Sequence, residues 1–133
     1  MREILFRGKR RDNGEWVYGN YILQNDNDSK RANYLIPYIK PRNCVNMYPV
    51  VPDTVGQFIG LTDRNGKRIF EGDIVRNADG YLFSAQYPFA VKFCDGNFCG
   101  DAGGFVYISG EEFRYCEVIG SIHDNPELLE VGE

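Results

Sequence analysis

Four cysteines and one histidine are the residues best suited to bind a metal or to act as a nucleophile: Cys44, Cys94, Cys99, Cys116 and His123. No Cys-x-x-Cys pair occurs, and the four residues between Cys94 and Cys99 are at the wide limit of zinc-ligand spacing. Nothing in the spacing places His123 beside a cysteine, as a Cys–His nucleophile requires. An even number of cysteines also allows disulfides, but the expected cytosolic setting argues against them. We therefore expect cysteines packed as small apolar side chains, with no metal and no cofactor.

Two carboxylates, Glu71 and Asp73, flank Gly72 and are the nearest candidates for general acid–base catalysis. Their position on a tight turn predicts instead that both are hydrated and hydrogen-bonded locally. The two common phosphate-binding loops, G-x-x-x-x-G-K-[ST] and G-x-G-x-x-G, do not occur in the sequence. The sequence therefore predicts that the protein is not an enzyme.

Aromatic side chains near cations are a stronger signal, because small β-barrels use such rings to stack on bases or to grip peptides. The candidate binding residues are Tyr81, Phe83 and Tyr87 with Lys92 and Arg114, together with Arg10 and Arg11 from a basic amino-terminal segment. The aromatics could equally pack inside a barrel or against a second subunit, and the basic segment could be a hydrated strand face. The net charge of −4 argues mildly against nucleic acid and fits a protein partner or self-association.

Short strands and tight turns must position these residues, because the chain has 15 Gly and 6 Pro and is rich in aromatics. Hairpins are predicted where Asn13-Gly14, Asn65-Gly66 and Asp95-Gly96 separate alternating apolar segments. At Asn65-Gly66 we expect a type I′ turn, which requires positive φ at both residues. Five short strands after residue 69 fit a small SH3-like barrel. The predicted fold class is mainly β, or β-rich α+β.

The first two hairpins resemble one another at an offset of 52 residues, with Phe6 matching Phe58 and Asn13-Gly14 matching Asn65-Gly66. This similarity has two explanations: a structural repeat, or turn chemistry that makes such hairpins alike. We predict two halves, residues 1–57 with the first hairpin and residues 58–133 with the SH3-like barrel, packed closely together.

Three segments of the sequence resemble the YopX family, a group of small proteins encoded by bacterial phages and prophages. They are MREILFRGKRRDNGEWVYGNYI at the start, VGQFIGLTDRNGKRIFEGDIV in the centre and EVIGSIHDNPELL near the end. The resemblance implies a β-rich fold with an SH3-like carboxy-terminal part, and a phage protein in the bacterial cytoplasm. It implies no reaction, since the family has no assigned activity.

The predicted function is that of a phage or prophage accessory protein, most simply a non-catalytic binding module. Two alternatives stay open: a single-stranded nucleic-acid-binding protein, and a structural homo-oligomer. The expected partners are a host or phage protein, nucleic acid or further copies of this chain. The sequence contains no apolar run of about 18 residues and no signal-peptide pattern, so we expect a cytoplasmic protein with no membrane partner.

Overall fold

The structure is a computed structural model that describes residues 3–25, 35–77, 88–94, 96–101 and 107–129. Its strands are β1 (Phe6–Lys9), β2 (Trp16–Asn25), β3 (Leu35–Lys40), β4 (Tyr48–Pro49), β5 (Gly56–Thr62), β6 (Arg68–Phe70), β7 (Asp73–Asn77), β8 (Phe89–Cys94), β9 (Asn97–Asp101), β10 (Tyr107–Ser109) and β11 (Cys116–Ser121). Short 3₁₀ helices span Pro52–Thr54, Gly110–Tyr115 and Pro126–Leu129. The protein is mainly β, as predicted. In the part of the chain described, no helix has the length and apolar character needed to cross a membrane.

The chain divides into two compact units, Met1–Gln57 and Phe58–Glu133. The strands form two antiparallel sheets, one in the order β4-β3-β2-β1-β5-β6 and one in the order β10-β9-β8-β7-β11. The first two residues of β5 pair with β1 in the amino-terminal unit, and later residues of β5 pair with β6 in the carboxy-terminal unit. The SH3-like closure of the carboxy-terminal unit stays a prediction.

The core of the amino-terminal unit lies on one face of its sheet. Its buried members are Val17, Ile39 and Val50, and Phe6, Tyr48 and Val55 pack against them. Alternation along β2 directs Val17 inward and its neighbours outward, as expected for a strand with one buried face.

Glycine allows close backbone packing on that inner face. A Cβ atom at Gly19 would lie 2.1 Å from the Lys40 carbonyl oxygen, and one at Gly8 would lie 3.0 Å from the Val50 Cβ. The sheet of the amino-terminal unit therefore depends on side chains being absent at these two inward positions.

The carboxy-terminal unit has its own core, formed by alternating apolar residues of β5 to β8 with the segment that enters β11. The buried cluster consists of Ile59, Ile69, Val75, Phe89, Val91, Phe113 and Cys116, with Leu61, Phe98 and Val118 packed against it. Burial of whole Ile, Val and Phe side chains is the main favourable contribution to the stability of such a unit.

The three predicted hairpins are present as β1–β2, β5–β6 and β8–β9. The prediction of a type I′ turn at Asn65-Gly66 is wrong, because that turn requires positive φ at both residues. Gly66 has φ +82°, whereas Asn65 is not among the described residues with positive φ. Five residues separate the paired Thr62 and Arg68, so this loop needs only one left-handed residue. The structural repeat stays a prediction.

Candidate functional site

The outer face of the amino-terminal sheet carries aromatic and cationic side chains side by side. In the β1–β2 register Lys9 lies opposite Trp16 and Arg7 lies opposite Tyr18, so all four share one face. The β2–β3 register adds the pairs Asn20–Lys40 and Ile22–Tyr38 to the same face. We call this surface the basic aromatic face; its functional candidates are Arg7, Lys9, Trp16, Tyr18, Asn20, Tyr38 and Lys40.

The Trp16 ring is held by two cations. The Arg7 Cζ lies 4.3 Å from the ring centroid and the Lys9 Nζ lies 5.4 Å from it, both within the range of a cation–π interaction. Arg7 is only 6% exposed whereas Trp16 is half-buried, so the indole covers the guanidinium and is fixed by it. Trp16 is therefore a pre-positioned ring rather than a mobile surface side chain.

The rest of the face is partly open to solvent. Tyr18 is 45% exposed and Asn20 is exposed, while Tyr38 and Lys40 are half-buried. Within the described strands β1 to β4, the register positions of this face hold no Asp or Glu. The face therefore combines rings and positive charge without a carboxylate of its own.

Of the residues predicted from the sequence, Arg10 and Arg11 lie together at the end of β1. Arg10 stacks on Tyr48, with its Cζ 4.1 Å from the ring centroid, on the opposite side of β1 from Lys9. Its Nε and Nη2 donate to the two oxygens of Asp12 at 2.9 and 2.6 Å, and the hydrogen bond lowers the pKa of Asp12. Arg11 is exposed and its backbone N–H donates to the Pro49 carbonyl. Arg10 is thus already engaged by a carboxylate.

The other predicted cations lie in the carboxy-terminal unit. Lys92 is exposed on β8, opposite Cys99 of β9. Arg114 is exposed in the Gly110–Tyr115 helix and forms an ion pair with Glu111 at 2.5 Å. The predicted aromatics Tyr81, Phe83 and Tyr87 lie outside the described residues.

The sequence prediction did not select the basic aromatic face, although the signal for it was present. Arg7 and Lys9 are two residues apart on one predicted strand, and Trp16 and Tyr18 are two apart on the next. Aligning the two strands around the hairpin loop that contains Asn13-Gly14 brings the four residues onto one face.

A buried carboxylate, Asp63, fixes the loop between β5 and β6. Its Oδ1 accepts hydrogen bonds from the backbone N–H groups of Asn65 and Lys67 at 2.8 and 2.9 Å. Its Oδ2 accepts one from Val118 N–H of β11 at 2.9 Å, and the residue is 5% exposed. Both carboxylate oxygens of Asp63 therefore accept hydrogen bonds from backbone N–H groups.

Asp73, which the sequence placed on a hydrated turn, is 2% exposed and begins β7. The predicted hydration is wrong because β7 enters the core directly after Gly72. The predicted local hydrogen bond is confirmed, since Asp73 Oδ2 accepts from Phe70 N–H at 2.7 Å. Glu71 is half-buried, so the two carboxylates occupy different environments.

The cysteines differ from one another. Cys99 is disulfide-bonded, whereas Cys44 and Cys116 are free thiols. The predicted reduced state is wrong at Cys99, because it was inferred from the expected compartment and not from the distances between sulfur atoms. Burial, with smaller contributions from the charges of Glu112 and Asp63, raises the pKa of Cys116 to about 11. Among the described residues, no three His, Cys, Asp or Glu side chains converge on a possible metal site.

These features define the class of the protein: a mainly β chain of two compact units, one of which carries a cationic aromatic sheet face. The chain belongs to the YopX protein family, whose model matches residues 5–130. It is similar in fold to the crystal structure of protein EF1440 from Enterococcus faecalis, with a TM-score of 0.58 and 24% sequence identity. That similarity covers 97% of this chain and 99% of the other. Comparison with curated proteins gives no match.

We expect Asp63→Asn to lower the free energy of unfolding by about 1–3 kcal/mol, because an amide nitrogen cannot accept a backbone hydrogen bond where a carboxylate oxygen did. Urea unfolding measures the change. Asp53→Asn is the matched control, since Asp53 is exposed, and it should stay within about 0.5 kcal/mol of wild type. Equal stabilities of the two variants would contradict the role given to Asp63.

Cys116 should make stability depend on alkaline pH. The folded protein keeps this thiol protonated to about pH 11, whereas the unfolded chain ionises near the ordinary value of 9.0. Its contribution is therefore complete below about pH 9 and is lost as the pH rises towards 11. We expect the stability difference between wild type and Cys116→Ala to shrink by about 2 kcal/mol over that range.

The matched control for Cys116→Ala is Val75→Ala, which opens the same core without removing a titrating group. Its stability difference from wild type should not change with pH. Urea unfolding at several alkaline pH values gives both differences, and a constant difference for Cys116→Ala contradicts the assignment.

Proposed function

We propose that this YopX family member is a non-catalytic binding module that engages its ligand through the basic aromatic face. The observation that carries the proposal is the outward presentation of Tyr18, Asn20 and Lys40 beside a Trp16 ring already fixed by cations. Aromatic rings next to positive charge form an amphipathic surface that can exchange water for a ligand at low conformational cost.

The buried polar groups of the carboxy-terminal unit support a structural role rather than catalysis for that unit. The oxygens of Asp63 accept three backbone hydrogen bonds, and Asp73 accepts another. Cys116 keeps its proton at neutral pH, whereas a nucleophilic cysteine reacts as its thiolate.

The biological setting is part of the same proposal and rests on family membership. The protein acts as a phage or prophage accessory factor in the bacterial cytoplasm, with a host or phage macromolecule as its partner. We also propose that the carboxy-terminal unit has an SH3-like arrangement; its five-stranded antiparallel sheet supports this.

Affinity capture from a bacterial lysate, with and without nuclease, tests the proposed face. The Tyr18→Ala, Lys40→Ala double variant should retain about tenfold less of the material that wild type retains. The matched control is Tyr115→Ala with Lys67→Ala, which removes an exposed tyrosine and an exposed lysine from the other unit. Equal capture by wild type and the face variant overturns the proposal.

A second candidate, a homo-oligomer, is favoured by the opposite face of the β2–β3 hairpin. There Leu23 is 51% exposed and Leu35 is 48% exposed, and Tyr21 is also exposed beyond the core. These apolar side chains together resemble the centre of a small interface.

Light scattering on the purified protein tests the second candidate. We expect a mass of a dimer or larger that falls to the monomer mass of 15.2 kDa in Leu23→Glu. The control is Val45→Glu, because Val45 is exposed in a loop outside the strands. A wild-type protein that is monomeric at high concentration excludes this candidate.

A further inference from the structure

We infer that the basic aromatic face binds single-stranded nucleic acid; this rests on the function proposed above and names the chemical class of its ligand. Three properties of the face carry the inference: the spacing of its rings, the placement of its cations and the absence of Asp and Glu at its register positions in β1 to β4.

The rings are arranged as stacking platforms for bases. Trp16 and Tyr18 are alternate residues of β2, so they stand about 7 Å apart on the same face. Tyr38 lies on the neighbouring strand opposite Ile22, farther along the same face. Nucleic-acid-binding sheets use aromatic residues on adjacent strands in this way, because every base has a planar surface that a ring can cover.

The fixed position of Trp16 strengthens the argument. Arg7 is stacked on the indole and is almost fully buried, so the ring is held in place before any ligand arrives. A base that stacks on this fixed ring needs no rearrangement of the Trp16 side chain, which reduces the entropy lost on binding. Arg7 is thus a positioning residue for the platform.

The cations are placed to follow a phosphate backbone. Lys9 is opposite Trp16 and Lys40 is opposite Asn20, so the two lysines lie diagonally across β2. The two lysines are four residues apart along the strand direction and two strands apart across the sheet, which places them about 16 Å from one another. A few nucleotides of single strand span a distance of this order. Tyr18 lies between the two lysines, Trp16 lies beside Lys9, and Tyr38 lies two residues beyond Lys40 on β3. This order matches a strand whose phosphates contact the lysines while its bases stack on the rings.

The absence of carboxylates at the register positions of this face explains how an acidic protein could bind a polyanion. The formal charge of −4 belongs to the whole chain, whereas the described strands β1 to β4 present only cations and neutral residues on this side. An acidic peptide would offer negative charge but no planar groups for the rings. A duplex would offer phosphates but keep its base surfaces stacked internally, so the single strand fits best.

Trp16 provides the test, because it is the single tryptophan of the chain and one of the stacking rings of the proposed site. Its fluorescence is followed during titration with oligothymidylate and with oligouridylate, each about 12 nucleotides long. We expect saturable quenching with at least one of them. Log affinity should fall with log salt at a slope of about −1 to −2, as expected for two or three neutralised phosphates of a single strand. The tighter of the two oligonucleotides identifies DNA or RNA as the source of the ligand.

Two single variants examine the roles separately. Tyr18→Ala should weaken binding about fivefold or more, the effect of losing one stacked base, while keeping the salt slope. Lys40→Ala should reduce the magnitude of the salt slope by about 0.7. Tyr115→Ala and Lys67→Ala, in the other unit, should bind as wild type does. Circular dichroism of each variant verifies its fold before binding is compared.

Absence of quenching by both oligonucleotides overturns the inference, as do salt-independent quenching and unchanged affinity of Tyr18→Ala. If the oligonucleotides fail while lysate capture still depends on Tyr18 and Lys40, the ligand class is wrong and the proposed function stands. If neither oligonucleotide binding nor lysate capture depends on Tyr18 and Lys40, both the ligand class and the proposed function are wrong.

Discussion

One buried carboxylate organises the carboxy-terminal unit. Asp63 accepts two hydrogen bonds from its own loop and one from Val118, so the same group shapes the β5–β6 hairpin and attaches it to the last strand. The Arg64 N–H donates to the Cys116 carbonyl and reinforces the attachment. Removing a carboxylate from water is costly, and three backbone donors offset that cost only while all three remain in place. The hairpin and the last strand are therefore stabilised together rather than separately.

In the amino-terminal unit, the alternation of side chains along the strands determines the structure of the two sheet faces. Inward positions hold glycines and compact apolar residues, so the strands pack closely around Val50 and Ile39. The outward positions of the same strands receive the long and planar side chains, Trp16 and Tyr18 among them. A closely packed inner side thus makes the outer side rigid, and rigidity is what lets a ring serve as a platform for a ligand.

The sequence was sufficient for the features that depend on local chemistry. Glycine-containing turns flanked by alternating apolar residues located the three hairpins, and the family resemblance was confirmed over nearly the whole chain. It was insufficient where a distant partner decides the outcome. A longer loop capped by the Asp63 side chain stands in place of the type I′ turn, and the same carboxylate is buried against Val118, 55 residues away. Asp73 was expected in water because nothing local shows that β7 enters a core.

In the candidate site too, the sequence identified local features but not those that depend on distant partners. Arg10 and Arg11 were selected from a basic segment, and only the fold shows that Arg10 is held by Asp12 and Tyr48. Arg7 and Lys9 came from that same segment, but their relation to Trp16 depends on the exact pairing of two strands. A shift of one residue in that register would place the cations and the rings on opposite faces.

The 55-residue separation between Asp63 and Val118 also has a consequence for synthesis on the ribosome. Strands β1 to β4 can pair as soon as they emerge, because their partners are close in sequence. The β5–β6 loop must wait for β11, a delay of about 3–11 s at typical rates of translation. During that interval Asp63 lacks one of its three donors and the apolar residues of β5 and β6 lack their final cover. The newly made chain thus exposes apolar residues of its second half for that interval, during which aggregation competes with folding.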